Sequence, residues 1–486
     1  MHVHRMGRRV ASVVLAAAMA VPLAAVLSGG SAFGATIAVP CGSGGPAALI
    51  AAVNAANATP TLDTISLASG CYYDFATADN GTDGGNALPV ITTPIVFNGN
   101  NAVLERTAPS GTDFRLLDVA TTGNLQLKHV MVTNGLLEAS PASAGAGILN
   151  RGTTQLQNSS VENNNVAISD MVAIPVGGGI ANLDPGVLTV SNSDVSYNSA
   201  SIPNYCGYCG PGSYLGIPLG GGIANSGTTS INNSTITHNS AYADGVITFA
   251  FGGGVSSGAA NAPAVTIQSS KLTDNTVFGA SYGGGLAVGG GFAGNALTMG
   301  NTEVARNAAT ELAQYQGVAF GGGIGVTKAS NISKNSSIHD NSASGYYGAQ
   351  SAGGGVGIAS LATLTISSSA IFNNVVGPTL GGPAGDATGG GIHNAGNLTL
   401  LSSQVYGNHA ISPGYGANGL GAGIYNASGG TVKLNSSYVK TNTADTDGGG
   451  VYNADSSLTA VSGSVGPTYI TGNVPDNCVH VTGCIG

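Results

Sequence analysis

The sequence predicts an all-β protein, a right-handed parallel β-helix of about 12 to 13 coils with an N-terminal helical cap. Two recurring motifs and the short alternating segments between them support this fold. The first motif is a glycine triplet followed by Ile, Val or Leu, and it recurs every 27 to 43 residues. Its last glycines are Gly179, Gly222, Gly254, Gly285, Gly323, Gly355, Gly391 and Gly450, and a Gly-Ala-Gly variant ends at Gly147 and Gly423. Such a period is typical of stacked supersecondary units.

The second motif is Ser or Thr, any residue, an aliphatic residue, two further residues and Asn. Its asparagines are Asn164, Asn198, Asn239, Asn275, Asn307, Asn341, Asn374, Asn408, Asn442 and Asn473. Between the motifs, segments such as Leu398-Thr399-Leu400 alternate apolar and polar residues, which indicates half-buried strands. We therefore expect about three short strands per coil, stacked at roughly 4.8 Å. The asparagines should lie at corners, because Asn tolerates a left-handed φ.

The repeat from Gly389 to Asn394, followed by Leu398-Thr399-Leu400 and Ser403-x-Val405-x-x-Asn408, resembles a known repeat. It is similar to the repeats of secreted parallel β-helix proteins of the polymorphic outer membrane protein type. The resemblance covers residues 60 to 484 or so and implies an adhesin-like or sugar-binding protein of bacterial origin. It also implies a helix at residues 46–57 and a closing segment at residues 475–478.

The first residues have the pattern of a signal peptide. Arg5, Arg8 and Arg9 precede an apolar, Ala-rich stretch at 10–27, and Ala32-Phe33-Gly34 matches a small-x-small cleavage site. We therefore predict a signal peptide at 1–34, a cap with the first coils at 35–110, repeats at 111–475 and a disulfide-closed cap at 476–486. The expected product is secreted, monomeric and without a transmembrane segment once the signal is removed.

Charge excludes one class of partner. The chain has 13 Lys and Arg against 22 Asp and Glu. Without the three arginines of the signal peptide, 10 basic residues remain, so the mature chain carries about −12. Nucleic acid is not expected as a partner, because its binding requires a basic stripe.

Six cysteines in an exported chain predict three disulfides. Fifteen connectivities are available to six cysteines, and local spacing favours Cys41–Cys71, Cys206–Cys209 and Cys478–Cys484. The first and last bridges would close the two ends of the solenoid, where edge strands need protection.

The segments between each corner Asn and the next triplet are the candidate binding surface. Nine of them, from Asn165 to Asp447, hold 13 of the 27 Tyr and Phe residues and no Lys or Arg. Rings with polar tips beside scattered acids suit a glycan or a cell-surface partner, although the rings could instead pack these segments onto the coil. The candidate binding residues are Tyr205, Tyr208, Tyr214, Tyr242, Tyr282, Tyr315, Tyr346, Tyr347 and Tyr415.

The alternative function is a polysaccharide hydrolase or lyase on the same fold. Asp274 and Asp340 precede corner asparagines two coils apart, about 9.6 Å in rise, which is near the limit for the carboxyl pair of an inverting glycosidase. Arg306 lies between them, so a ladder of ion pairs explains the same residues. A lyase needs a cation and a base. Calcium held by Asp445 and Asp447 would supply the cation, but no clustered set of ligands accompanies them in the sequence, so no cofactor is predicted.

Overall fold

The chain is described by a computed structural model. Its described residues are 34–109, 111–138, 143–168, 172–203, 215–243, 247–258, 265–289, 296–311, 317–345, 348–378, 385–412, 414, 416–455, 461–466 and 468–484. Residues 34–486 form one compact unit. Within it, each coil passes through up to five rows of short strands, numbered here from the glycine triplet onward.

Row 1 follows the triplets and holds 12 parallel strands within the described residues. They are Leu117–Val119, Ile148–Asn150, Ile180–Asn182, Ile223–Asn225, Val255–Ser257, Leu286–Val288, Ile324–Val326, Val356–Ile358, Ile392–Asn394, Ile424–Asn426, Val451–Asn453 and Cys478–Val479.

Rows 2 and 3 form one 25-stranded sheet in the described part of the chain. Row 2 comprises Thr36–Val39, Asp63–Leu67, Thr153–Gln157, Val187–Ser191, Thr228–Asn232, Val265–Gln268, Leu297–Gly300, Ser330–Ser333, Thr363–Ser367, Asn397–Leu401, Thr431–Asn435 and Val461–Gly463. Row 3 comprises Tyr72–Phe75, Ser160–Glu162, Asp194–Ser196, Thr235–Thr237, Lys271–Thr273, Glu303–Ala305, Ser337–His339, Ala370–Phe372, Gln404–Tyr406, Tyr438–Lys440 and Ile470–Thr471. Two long strands, Pro94–Arg106 and Asn124–Thr133, run through both rows.

Rows 4 and 5 lie in the segments that the sequence indicated as loops. Row 4 comprises Leu136–Leu137, Asn165–Ala167, Ser199–Ile202, Ser240–Ala243, Thr276–Phe278, Ala308–Glu311, Ser342–Gly345, Val375–Val376, His409–Ala410 and Thr443–Ala444. Row 5 comprises Val172–Ala173, Leu215–Gly216, Ile247–Phe251, Ala280–Tyr282, Val318–Phe320, Gln350–Ala352, Ala387–Thr388 and Gly419–Leu420. The prediction of about three strands per coil was therefore too low. Buried alanines such as Ala241, Ala250 and Ala309 hold the two rows together as a second, smaller core.

Every strand pairing in these rows is parallel, and apart from a register shift between Asn98 and Ala102 the described strands keep register with the next coil. The predicted all-β parallel β-helix is confirmed. Twelve strands in row 1 correspond to eleven complete turns. Row 2 together with the two long strands stacks fourteen strands, and thirteen steps of ~4.8 Å give a length of about 62 Å.

The ten motif asparagines form a continuous ladder inside the solenoid. Each is at most 7% exposed. Asn307 is representative, since its backbone N–H and its Nδ2 both donate to Oδ1 of Asn341, at 3.0 and 2.9 Å. The left-handed φ expected of these asparagines belongs instead to the residue before each of them, as at Arg306 and Asp340. The amide ladder, and not the backbone conformation, therefore explains why Asn recurs at this position in each coil.

The triplet Gly321-Gly322-Gly323 shows why the corner before row 1 takes glycine. Gly321 has a φ of +68°, where a Cβ is strained. A Cβ on Gly322 would lie 2.2 Å from the carbonyl oxygen of Ser342, and one on Gly323 would lie 3.0 Å from Cγ of Asn341. The triplet therefore lets the chain pass directly beside the asparagine ladder.

The helix Gly45–Asn57 lies at the N-terminal end of the described chain. Its buried face, Leu49, Ala52, Val53 and Ala56, belongs to the same apolar cluster as the first strands. A disulfide joins Cys41 to Cys71, with Cα atoms 5.6 Å apart, and ties the segment before the helix to row 3. At the other end Cys478 pairs with Cys484 across 6.3 Å between Cα atoms. Cys206 and Cys209 lie outside the described residues.

Candidate functional site

The outward side of row 3 carries a cluster of paired charges. The Arg306 guanidinium binds Asp274 through two hydrogen bonds, Nε to Oδ1 and Nη2 to Oδ2, each 2.9 Å long. Lys271 pairs with Glu303 of the next coil, and the distance from Nζ to Oε2 is 2.9 Å. His339 then contacts both Glu303, at 3.4 Å, and Asp340, at 2.6 Å. These are the contacts of an ion-pair ladder.

These contacts test the prediction that Asp274 and Asp340 form the carboxyl pair of a hydrolase. Partial burial raises the pKa of Asp274, but the hydrogen bonds and charge of Arg306 outweigh it and hold that pKa below its ordinary value. A general acid needs the opposite shift. Asp340 is half exposed and engaged by His339. The described contacts therefore favour the ion-pair ladder over a catalytic pair.

Beyond the charges, the same face of row 3 carries a stack of rings that the sequence did not reveal. His339, Phe372 and Tyr406 stack with centroids 4.6 and 5.0 Å apart and planes within 12° and 3°. Lys440 covers the outer face of Tyr406 at 5.7 Å. Because neighbouring rings cover one another, a ligand reaches only their edges. Aligning the last residue of each row 3 strand would have shown this stack.

Two of the nine candidate tyrosines lie within the described residues. Tyr242 is half-buried on row 4, and its ring centroid lies 5.8 Å from that of Phe278. Tyr282 lies between Phe251 and Phe320, with ring centroids 5.2 and 5.3 Å away, and burial raises its pKa. Tyr282 is therefore half-buried, with a ring packed on either side of it, and does not offer a free ring face. The remaining seven, Tyr205, Tyr208, Tyr214, Tyr315, Tyr346, Tyr347 and Tyr415, lie outside the described residues.

Tyr282 belongs to a long aromatic file in the outer groove between rows 5 and 1. The file runs through Phe251, Tyr282, Phe320, His393, Tyr425, Tyr452 and His480, with successive centroids 5.2 to 6.3 Å apart. His393 is enclosed by Phe320 and Tyr425, and burial lowers its pKa to about 4. Its Nδ1 lies 2.9 Å from the Thr388 hydroxyl. This groove is a second apolar core on the outside of the coil.

The acidic C-terminal end holds two separate arrangements. Asp445 accepts from His409 Nε2 at 3.0 Å and from the backbone of Ser412. Asp476 is hydrogen-bonded to Asp447, and burial followed by that neighbouring acid raises the pKa of Asp476 to about 6. Over the described ranges, no group of three or more His, Cys, Asp or Glu side chains could hold a metal ion.

A buried charge network occupies the N-terminal end of the outer groove. Asp118 is fully buried and accepts from Arg151 Nη2 at 2.7 Å, while Arg151 also pairs with Asp83. Arg115, 2% exposed, donates to Asn86 Oδ1 at 2.9 Å. Burial lowers the pKa of Arg115, against the opposing charge of Asp118. Since solvent barely reaches Asp118 and Arg115, we interpret the network as structural.

The outer corner between rows 2 and 3 holds two shallow grooves of mixed polar and apolar lining, together called the corner groove here. One stretch has a volume of about 350 Å³ and includes His129, Asn158, Asn192 and Asp194. A second stretch of about 280 Å³, at the same corner four coils further on, includes Asn335, Ser368 and Ser402. Asn or Ser side chains from successive coils line both stretches, together with apolar groups such as Met131 and Ala370. The sequence motifs did not indicate this groove, because its residues vary between amide and hydroxyl.

No protein-family model, no curated protein and no solved structure matches the chain. The resemblance to polymorphic outer membrane protein-type repeats therefore stays an expectation drawn from the motifs. The helix in the described residues is too short to cross a membrane.

Proposed function

We propose that this protein is a secreted, non-catalytic binding protein of the adhesin-like kind, and that its ligand is a neutral glycan. The observation that supports this best is the corner groove. It offers amide and hydroxyl groups from successive coils at ~4.8 Å intervals, with few charges. Such groups donate and accept in turn, as sugar hydroxyls do.

Export is part of the proposal. The basic and apolar leader at 1–34 and the Cys41–Cys71 disulfide both suit an oxidising compartment. The nine Tyr-rich segments remain a second candidate surface. Rows 4 and 5 stack in register on successive coils, so the strand ends that flank these segments lie along one edge of the solenoid.

The test is a glycan array probed with the wild-type protein and three variants. The groove variant changes Asn158 and Asn192 to Gly. Both have a positive φ, so glycine removes the side chain without straining the backbone. The matched control changes Asn163 and Asn373 to Gly. These two asparagines also have a positive φ, but they lie at the corner between rows 3 and 4.

The third variant changes Tyr205, Tyr208, Tyr346 and Tyr347 to Ala. We expect the groove variant to lose at least tenfold in affinity and the control to bind as the wild type does. A loss of glycan affinity in the tyrosine variant alone would place the glycan site at the edge formed by rows 4 and 5. Glycan binding unchanged in all variants, or no glycan bound, would refute the proposal.

A separate experiment tests the proposal that the protein does not cleave polysaccharides. Purified protein is incubated with neutral and uronate polysaccharides, with and without calcium. New reducing ends or unsaturated products would overturn it. An Asp274→Ala, Asp340→Ala double variant would then show whether the ion-pair ladder is responsible.

A further inference from the structure

The outer groove between rows 5 and 1 follows a simple packing rule. Two residue positions face it, the one before each triplet and the middle residue of each row 1 strand. Phe320 shows that they share the space, because its ring contacts His393 and covers Gly357, where a Cβ would lie 2.6 Å from the ring. A large ring from one position is matched by a small residue at the other.

This rule is not followed in the coils just before Phe251. There the positions before the triplets hold Val176 and Leu219, and the facing row 1 residue is Ala224. Neither of these two positions supplies a ring, and the described residues leave a cavity of about 130 Å³, lined by Val176, Leu183, Leu219, Ala224, Asn225, Ser226, Ser256 and Gly258. The lining is mainly apolar, with the Ser226 and Ser256 side chains as polar groups.

The size and surroundings of this cavity indicate what would occupy it. An aliphatic cavity of roughly 150 Å³ accommodates benzene. In the same groove, the next three coils each place an aromatic ring, spaced by 5.2 and 5.3 Å. We propose that the cavity binds the aromatic ring of a small ligand, either a phenyl or a phenol group, which takes the place that the chain's own rings take in the following coils.

This site is independent of the proposed glycan groove, which lies at a different corner of the coil. The Ser226 and Ser256 side chains in the lining favour a ring that carries one hydroxyl. A flat ring is preferred over a puckered one, because the rings that fill this groove in the following coils are flat and lie 5.2 and 5.3 Å apart.

The experiment uses phenol, benzene and cyclohexanol as probes, with ligand-observed NMR titration of the full mature chain. We expect saturable phenol binding with a Kd of about 1 mM or tighter, which is the range open to a ligand of this size. Cyclohexanol should bind at least fivefold more weakly. Equal binding of phenol and cyclohexanol, or no saturation by about 10 mM phenol, would overturn the proposal.

Leu219→Phe supplies the missing ring from the chain itself and should weaken phenol binding at least tenfold. Thr266→Phe is the matched control, because it adds a ring on the outward side of row 2 and should leave phenol binding unchanged. If Leu219→Phe fails to fold, Ala224→Val narrows the same cavity more gently and should weaken binding at least threefold. Unchanged phenol binding in a folded cavity variant would contradict the assignment.

Discussion

His393 and Asp476 should make the C-terminal coils respond to pH in opposite directions. The pKa of His393 is lowered from 6.5 to about 4 by burial. At pH 5 the unfolded chain therefore binds a proton that the folded coil does not, and acidification favours opening. From pH 7.5 to pH 5 this destabilises the coil around His393 by about 2 kcal/mol.

Asp476 has the reverse sign. Its pKa is raised from 3.8 to about 6, by burial and by Asp447. At pH 5 the folded coil holds a proton that the unfolded chain releases, so this contribution is present in acid and is lost as the pH rises through 6. Allowing for solvent screening of a half-buried carboxyl, acidification from pH 7.5 to pH 5 stabilises its coil by about 1 kcal/mol.

Hydrogen exchange followed by mass spectrometry separates the two effects, because solenoid coils open locally. After correction for intrinsic rates, peptides covering 388–394 should open more readily at pH 5, and peptides covering 470–479 less readily. His393→Phe keeps a ring in the file and leaves the Thr388 hydroxyl its contact with the Ser351 carbonyl at 3.4 Å. His393→Phe should abolish only the acid-induced opening of the 388–394 peptides. Asp476→Asn should abolish only the acid-induced protection of the 470–479 peptides.

Peptides covering Thr228–Asn232, which contain no titratable side chain, serve as the internal control. The reasoning would be refuted if the wild-type 388–394 peptides opened equally at both pH values. It would also be refuted if His393→Phe retained the acid response, because the proton would then bind elsewhere.

Three further substitutions test the packing, each by the midpoint and free energy of urea unfolding. Asp118→Ala should cost about 3 kcal/mol, because it leaves the buried Arg115 without the opposing charge of Asp118; a loss below about 1 kcal/mol would show that the network is solvated. Asn307→Ala should also cost about 3 kcal/mol, since the donors of the preceding ladder asparagine lose their acceptor, and near-neutrality would mean that water replaces the amide. Gly357→Ala should cost about 1–3 kcal/mol through contact with the Phe320 ring, and an unchanged midpoint would show that the ring moves freely.

The sequence motifs predicted rows 1 to 3 because those rows repeat. The triplet, the aliphatic residue after it and the corner Asn occupy equivalent places in each coil, so aligning them aligned the strands. Rows 4 and 5 escaped detection because strands such as Ser342–Gly345 and Gln350–Ala352 are short and contain mainly small residues without clear alternation. They are strands because the coil holds them in register, which is a tertiary effect.

The candidate sites were harder to predict for a related reason. Phe320 and His393 share one groove although 73 positions separate them in the sequence, and nothing local marks the contact. The ion pair between Arg306 and Asp274 was anticipated, since both precede a corner Asn in adjacent coils. The corner groove is a property of backbone shape, to which Asn and Ser contribute alike, so no residue pattern indicated it.

The asparagine ladder gives the solenoid a direction. The Oδ1 acceptors of the ladder all receive from the preceding coil, beginning with Asn164, whose Oδ1 binds the Gly135 N–H at 2.9 Å. Each Nδ2 also donates back to a backbone carbonyl of the preceding coil, as Asn307 does to Leu272 at 2.9 Å. Each rung thus presents the same acceptor to the coil before it and the same backbone donor to the coil after it. Duplication or loss of one whole repeat would recreate identical junctions on both sides. Such a gene could change length by single repeats during evolution while the two closing ends stayed as they are.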